Sequence, residues 1–157
     1  MEDLTLFELE QEGKKKAVSY DEIRSATEEF FQMINLPSKL GGYFLLGVLA
    51  RWIENYQYQA EEVGKFEKNY SRMEIDSQFA EKLFVKVVNK LRQYGMFGMV
   101  YSSIASLSAR YMAMVKEEGL DKSFVSLGFV WGHTEAKNFK DFLRNKNILK
   151  KEENKND

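Results

Sequence analysis

The sequence predicts an all-α fold, a compact bundle of about five or six helices, and three observations carry that expectation. One proline, Pro37, interrupts all 157 residues. Apolar residues recur with a 3.6-residue period over long stretches. The single apolar segment short enough to be a strand, 120–133, has no second convincing strand to pair with, so it is read as helix. At this length, with 44% hydrophobic residues, a chain buries roughly 70% of the surface its unfolded form exposes, which supports one core without staples.

The elements follow in order. Residues 1–17 form a charged, weakly amphipathic lead-in, with Gly13 and the run Lys14-Lys15-Lys16, expected to be partly mobile. Ser19 followed by Glu22 is a capping-box pattern, and Ile23, Ala26, Phe30, Met33 and Ile34 recur on one face, which predicts a helix from Tyr20 to about Asn35. Pro37 drives Leu36 out of the helical region, and Ser38 is placed to cap a second helix, about Lys39 to Glu61. Its first half is apolar nearly all round (Leu45, Leu46, Leu49, Trp52, Ile53), the mark of a central helix. Gly41, Gly42 and Gly47 each cost helix propensity of ~1 kcal/mol relative to Ala, so a neighbouring backbone is expected close by.

Gly64 and the polar residues Lys65 to Ser71 read as a connection. Asp76 or Ser77 opens a third helix with Phe79, Leu83, Phe84, Val87, Val88 and Leu91 at core spacing. Gly95 and Gly98 punctuate before a fourth helix, about Ser102 to Glu118, with Ile104, Leu107, Tyr111 and Val115 inward and Gly119 as its cap. After the apolar segment 120–133, Thr134 with Ala136, Phe139, Phe142, Leu143 and Ile148 opens a separate last helix. The bundle thus spans 18–149, and 150–157 is expected to be a disordered charged tail.

Composition removes most chemistries. The absence of Cys excludes disulfides, thiolate metal sites and a cysteine nucleophile, and points to a reducing cytoplasm. The most apolar run, Leu40 to Ile53, is broken by Arg51 and is shorter than the ~20 residues a bilayer helix needs. Met1-Glu2-Asp3-Leu4 lacks the features of an export signal. His133, beside Thr134 and Glu135, has no partner His or Cys for a metal and reads as a helix-junction histidine. Gly64-Lys65 fails as a phosphate loop, since Gln59 stands at the first glycine position and Phe66 follows the lysine. Ser102, Ser103, Ser106 and Ser108 have no activating His in their sequence context. Pairs such as Glu28-Glu29 and Glu117-Glu118 diverge by about 100° around a helix and do not converge on one ligand. No catalytic residue, metal or cofactor is expected.

The basic residues are more informative. Lys82, Lys86 and Lys90 stand at i, i+4 and i+8, with Asn89 and Gln93 alongside, opposite Phe79, Leu83 and Leu91. A second stripe runs through Lys137, Lys140 and Arg144, extended by Lys146, Lys150 and Lys151; Arg51 and Arg110 are further candidates. Such stripes can follow a phosphate backbone through salt-dependent contacts that carry no base information, or they can be ordinary solvated faces. Tyr56, Tyr58 and Tyr70 are the least core-like aromatics and the candidates for stacking on bases. With 23 basic against 24 acidic residues, any attraction to nucleic acid must come from charge segregated onto one face. The alternative is a helical adaptor that binds only protein.

Three segments also carry a family resemblance: Gly41-Gly42-Tyr43-Phe44-Leu45-Leu46-Gly47-Val48-Leu49-Ala50 with Trp52 and Gln57; Phe79-Ala80-Glu81-Lys82-Leu83-Phe84 on to Tyr94; and Ser123-Phe124-Val125-Ser126-Leu127-Gly128-Phe129. Together, over about residues 36–132, they resemble the C-terminal helical region of the large subunit of type I-B CRISPR Cascade complexes, a region also made as a separate small subunit. The N-terminal portion that reads the protospacer-adjacent motif has no counterpart here, so the chain resembles the small subunit. The resemblance implies a non-catalytic role. Several copies would stack along the crRNA-bearing backbone beside the large and backbone subunits. They would hold the crRNA–target DNA heteroduplex and give the displaced non-target single strand a basic path.

Overall fold

A computed structural model describes residues 18–60, 66–70, 75–116 and 120–150. Among these residues there are five α-helices and no strand: α1 (Tyr20–Met33), α2 (Gly41–Gln59), α3 (Ser77–Gln93), α4 (Met99–Lys116) and α5 (Lys122–Asn145). The expected lead-in, the Gly119 cap and nearly all of the expected tail lie outside them.

Local signals set the helix starts. At α1 the capping box is complete: the Glu22 amide donates to Ser19 Oγ at 3.1 Å, and the Ser19 amide donates to Glu22 Oε1 at 3.1 Å. Two of the helix's orphan donors are thereby satisfied. Asn35, at φ 55°, ends that helix in the left-handed region, and Pro37 is extended at φ −60° and ψ 137°. Ser38 does not cap α2. Ser38–Leu40 instead forms a 3-10 turn, and Leu40 precedes α2 without a side-chain cap. Asp76 caps α3, its carboxylate accepting from the Phe79 amide at 2.8 Å.

Helix α2 is the axis of the molecule. It packs most extensively on α5, then on α4 and α3, while α1 lies chiefly on α4. Every residue from Gly41 to Ala50 is buried, as the all-round apolar pattern requires. The expected close approach is present at Gly42 and Gly47, whereas Gly41 faces the Phe31 ring, 2.9 Å from its Cβ position. A Cβ on Gly47 would lie 2.1 Å from the Phe129 carbonyl oxygen of α5, and one on Gly42 would lie 2.6 Å from the Met112 amide nitrogen of α4. Gly132 of α5 returns the contact, its missing Cβ leaving room for the Phe44 carbonyl at 1.8 Å from the Cβ position. Two helix backbones thus touch through interleaved glycines. Around that seam Phe30, Phe139 and Phe142 pack with centroids 5.1 and 5.3 Å from Phe30. Buried Trp52 stacks on Phe139 and donates its indole N–H to the Ala136 carbonyl at 3.1 Å.

Further sequence expectations need correction. The expected separate segments, 120–133 and 134–148, share one continuous helix, α5 (Lys122–Asn145), with no break at Thr134, because the interior positions Phe129, Gly132, Ala136 and Phe139 keep one face on α2 throughout. His133 is therefore mid-helix, not at a junction. The α4 helix opens at Met99 rather than near Ser102. On α3 the buried line is Ala80, Leu83, Val87 and Leu91, with Phe79, Phe84 and Val88 flanking it half-buried.

Candidate nucleic-acid interface

The two expected basic stripes lie on α3 and α5, and the structure treats them differently. On α3, Lys82 and Lys86 are exposed and Lys90 is half-buried. Lys86 Nζ donates to Asn69 Oδ1 at 3.1 Å. Lys90 Nζ donates to Gln93 Oε1 at 3.3 Å and lies 5.5 Å from the centre of the Tyr94 ring. These partners are neutral. None of the three lysines is ion-paired to a carboxylate among the described residues, so their charge is uncompensated. Successive lysines are ~6 Å apart along the axis, since a helix rises 1.5 Å per residue. The neighbouring Glu81 does not neutralise them, because its carboxylate is held by Lys116 at 3.0 Å.

On α5 the charge is largely answered. Lys137 Nζ is 3.2 Å from Asp141 Oδ2, and Arg144 Nη1 is 3.9 Å from Asp141 Oδ1, so one carboxylate serves both cations. Lys140 is half-buried with its ammonium 5.1 Å from the centre of the Trp52 ring. Lys146 reaches Glu29 of α1 and clamps the two helices together. The remaining candidates have local work. Arg51 is exposed and donates weakly to Asn55 Oδ1 at 3.4 Å. Arg110 donates to the Tyr20 hydroxyl at 2.9 Å and covers its ring, tying α4 to the start of α1. Helices α3 and α5 each pack mainly on α2 rather than on each other.

The aromatic candidates separate as well. Tyr70 is buried, contrary to expectation: its ring packs edge-on against Phe66 and Phe129, and its hydroxyl lies 3.4 Å from His133 Nε2. Tyr58 is 70% exposed, with Tyr56 at 37%. Tyr56 stacks on Tyr94, centroids 4.3 Å apart and planes 27° from parallel. Tyr94 is in turn held by Gln57, whose Nε2 donates to its hydroxyl at 2.8 Å while its Oε1 accepts from the buried Phe66 amide at 2.8 Å. Sequence reasoning missed Tyr94, although the signal was available: it continues the 82, 86, 90 spacing by one more step of four.

His133 is paired with Glu54 of α2, Nε2 to Oε2 at 2.8 Å, beneath the Phe129 ring. That pair joins α2 to α5. Among the described residues no group of three or more His, Cys, Asp or Glu could hold a metal ion, and no helix is long and apolar enough to cross a membrane.

Compared with known families, residues 1–140 match the model described as the C-terminal domain of CRISPR-associated protein TM1802 (cas_TM1802). The chain belongs to this family. The TM1802 C-terminal domain is CRISPR-associated, which fits a type I-B Cas protein resembling the C-terminal region of the large subunit. The match takes in the whole α3 lysine row and the Tyr56–Tyr94 pair, whereas Arg144 lies beyond its end. No curated protein and no solved structure matches the chain.

Proposed function

We propose that this TM1802-family domain is a non-catalytic small subunit of a type I CRISPR surveillance complex, present in several copies along the crRNA-bearing backbone. Its task is to hold displaced non-target DNA through contacts that do not depend on sequence. The observation that carries the reading is the uncompensated row Lys82, Lys86 and Lys90, set on one rigid helix inside a CRISPR-associated domain. R-loop formation is nearly balanced in energy, so a few phosphate contacts per copy tip it. A net charge of −1 makes one copy a weak binder, and repetition along an array supplies the strength.

A second surface suits protein neighbours. Phe124, Leu127 and Val130 stand on the first half of α5 at 53%, 48% and 58% exposure, an apolar stripe of the kind that meets other subunits. This stripe also favours the adaptor reading, in which the domain binds protein alone.

Filter binding of single-stranded DNA to the full chain across a salt series separates the two. The subunit reading expects retention at low salt that falls steeply as salt rises. Replacing Lys82, Lys86 and Lys90 together by Glu should abolish it while the melting temperature stays near that of the parent. Retention unchanged by the triple replacement removes α3 as the DNA surface; no retention at any salt removes DNA binding by the single copy and favours the adaptor, with avidity in an assembled array as the sole remaining support for the subunit reading.

A further inference from the structure

We infer that the α3 lysine row ends in a base-stacking site, formed by Tyr56 on its support Tyr94, that takes an unpaired nucleobase of a strand whose phosphates lie on the lysines. The inference rests on the DNA-binding reading above and adds to it a contact with bases. The spacing comes first. Lys82, Lys86, Lys90 and Tyr94 follow one another at four-residue intervals, so a strand tracking the row arrives at the aromatic pair.

The second point is order. Tyr94 ends α3 and is followed by Gly95 at φ 69°, with the Met96 amide donating back to the Leu91 carbonyl at 2.7 Å, so the turn is fixed by a Schellman pattern. Gln57 holds the Tyr94 hydroxyl, and the Lys90 ammonium stands by its ring. Tyr56 lies against that ordered ring and still keeps 37% of its surface in water. A partly exposed aromatic whose support is already immobilised loses little entropy when a base covers it. A base also stacks on any aromatic face without regard to its identity, which suits a strand of arbitrary sequence.

The third point is where the Glu54 carboxylate is held. Glu54, two residues before Tyr56, is hydrogen-bonded to His133 of α5 at 2.8 Å, which fixes its carboxylate at the α2–α5 contact.

The test compares two oligonucleotides of equal length and charge on the full chain: oligo-dT and the same backbone carrying abasic sites throughout. Stacking is worth ~1–3 kcal/mol per base, so oligo-dT should bind roughly 5- to 140-fold more tightly than the abasic strand. Tyr56→Leu, which keeps apolar bulk without a π face, should bring that ratio close to one and leave both the salt slope and the melting temperature unchanged. Tyr56→Phe should preserve the ratio. Equal binding of the two strands by the parent chain, or a Tyr56→Leu chain that keeps its preference for bases, overturns the stacking site while the lysine row stands. Failure of both strands to bind at low salt overturns the DNA reading and the stacking site with it.

Discussion

Gly132 illustrates how much one absent methyl group decides. Its α-carbon lies so close to α2 that an added Cβ would be 1.8 Å from the Phe44 carbonyl oxygen, a distance only a shift of the helices can relieve. Overpacking of this kind typically costs 1–3 kcal/mol, and here the obstacle is backbone, so Gly132→Ala should destabilise by at least about 2 kcal/mol in urea denaturation. Gly98 is the contrast. It precedes α4 with nothing within 4 Å of its Cβ position, and Gly98→Ser should stabilise by a few tenths of a kcal/mol by capping the helix. Tyr111 carries a second prediction at this scale. Burial first, and then its hydrogen bond to Glu28 at 3.0 Å, push its phenol above the ordinary value of 10.0. The folded chain therefore keeps that proton when the unfolded chain has lost it, and the contribution to stability is whole below pH 10 and drains away above it. Tyr111→Phe should accordingly lose less stability between pH 9 and 11 than the parent chain, measured by denaturation at each pH.

Among the helices, α3 and α5 look alike in sequence and differ in structure. Both present basic residues at helical spacing, and spacing alone cannot say which charges are answered. Asp141 is the deciding residue on α5, lying one turn after Lys137 and three residues before Arg144. Asp141→Asn should release Lys137, which is exposed, and strengthen single-stranded DNA binding, raising the magnitude of the salt slope by up to ~0.7, the amount expected for one phosphate newly neutralised. An unchanged slope would mean that α5 faces away from the strand. The capping box of α1 was fully legible, because Ser19 and Glu22 are neighbours along the chain. Continuity of α5 was not. Thr134 after an apolar run looks like a helix start, but the contact of Phe129, Gly132 and Ala136 with α2 outweighs that local preference.

At the scale of the whole molecule, the stability of the bundle is concentrated on its axis. Leu46 is fully buried in the first half of α2, whereas Met114 on α4 is 72% exposed. Leu46→Ala should cost about 2–5 kcal/mol and Met114→Ala less than about 0.5, a difference thermal melts resolve directly. Sequence alone established the all-helical class, the break at Pro37, the buried axis and the close approach at Gly42 and Gly47, and its segments pointed to the CRISPR-associated family. These features are legible because periodicity, caps and turn residues act within a few positions of one another, and because a glycine-rich apolar helix has few places to go. Tertiary structure alone decided which cations are compensated, that Tyr70 is core while Tyr56 stacks on Tyr94, and that His133 meets Glu54. Such pairings join residues far apart in the chain, as Lys146 and Glu29 are at 117 positions' separation. Electrostatic partners are set by where the packed helices bring side chains together, and no local pattern encodes that distance.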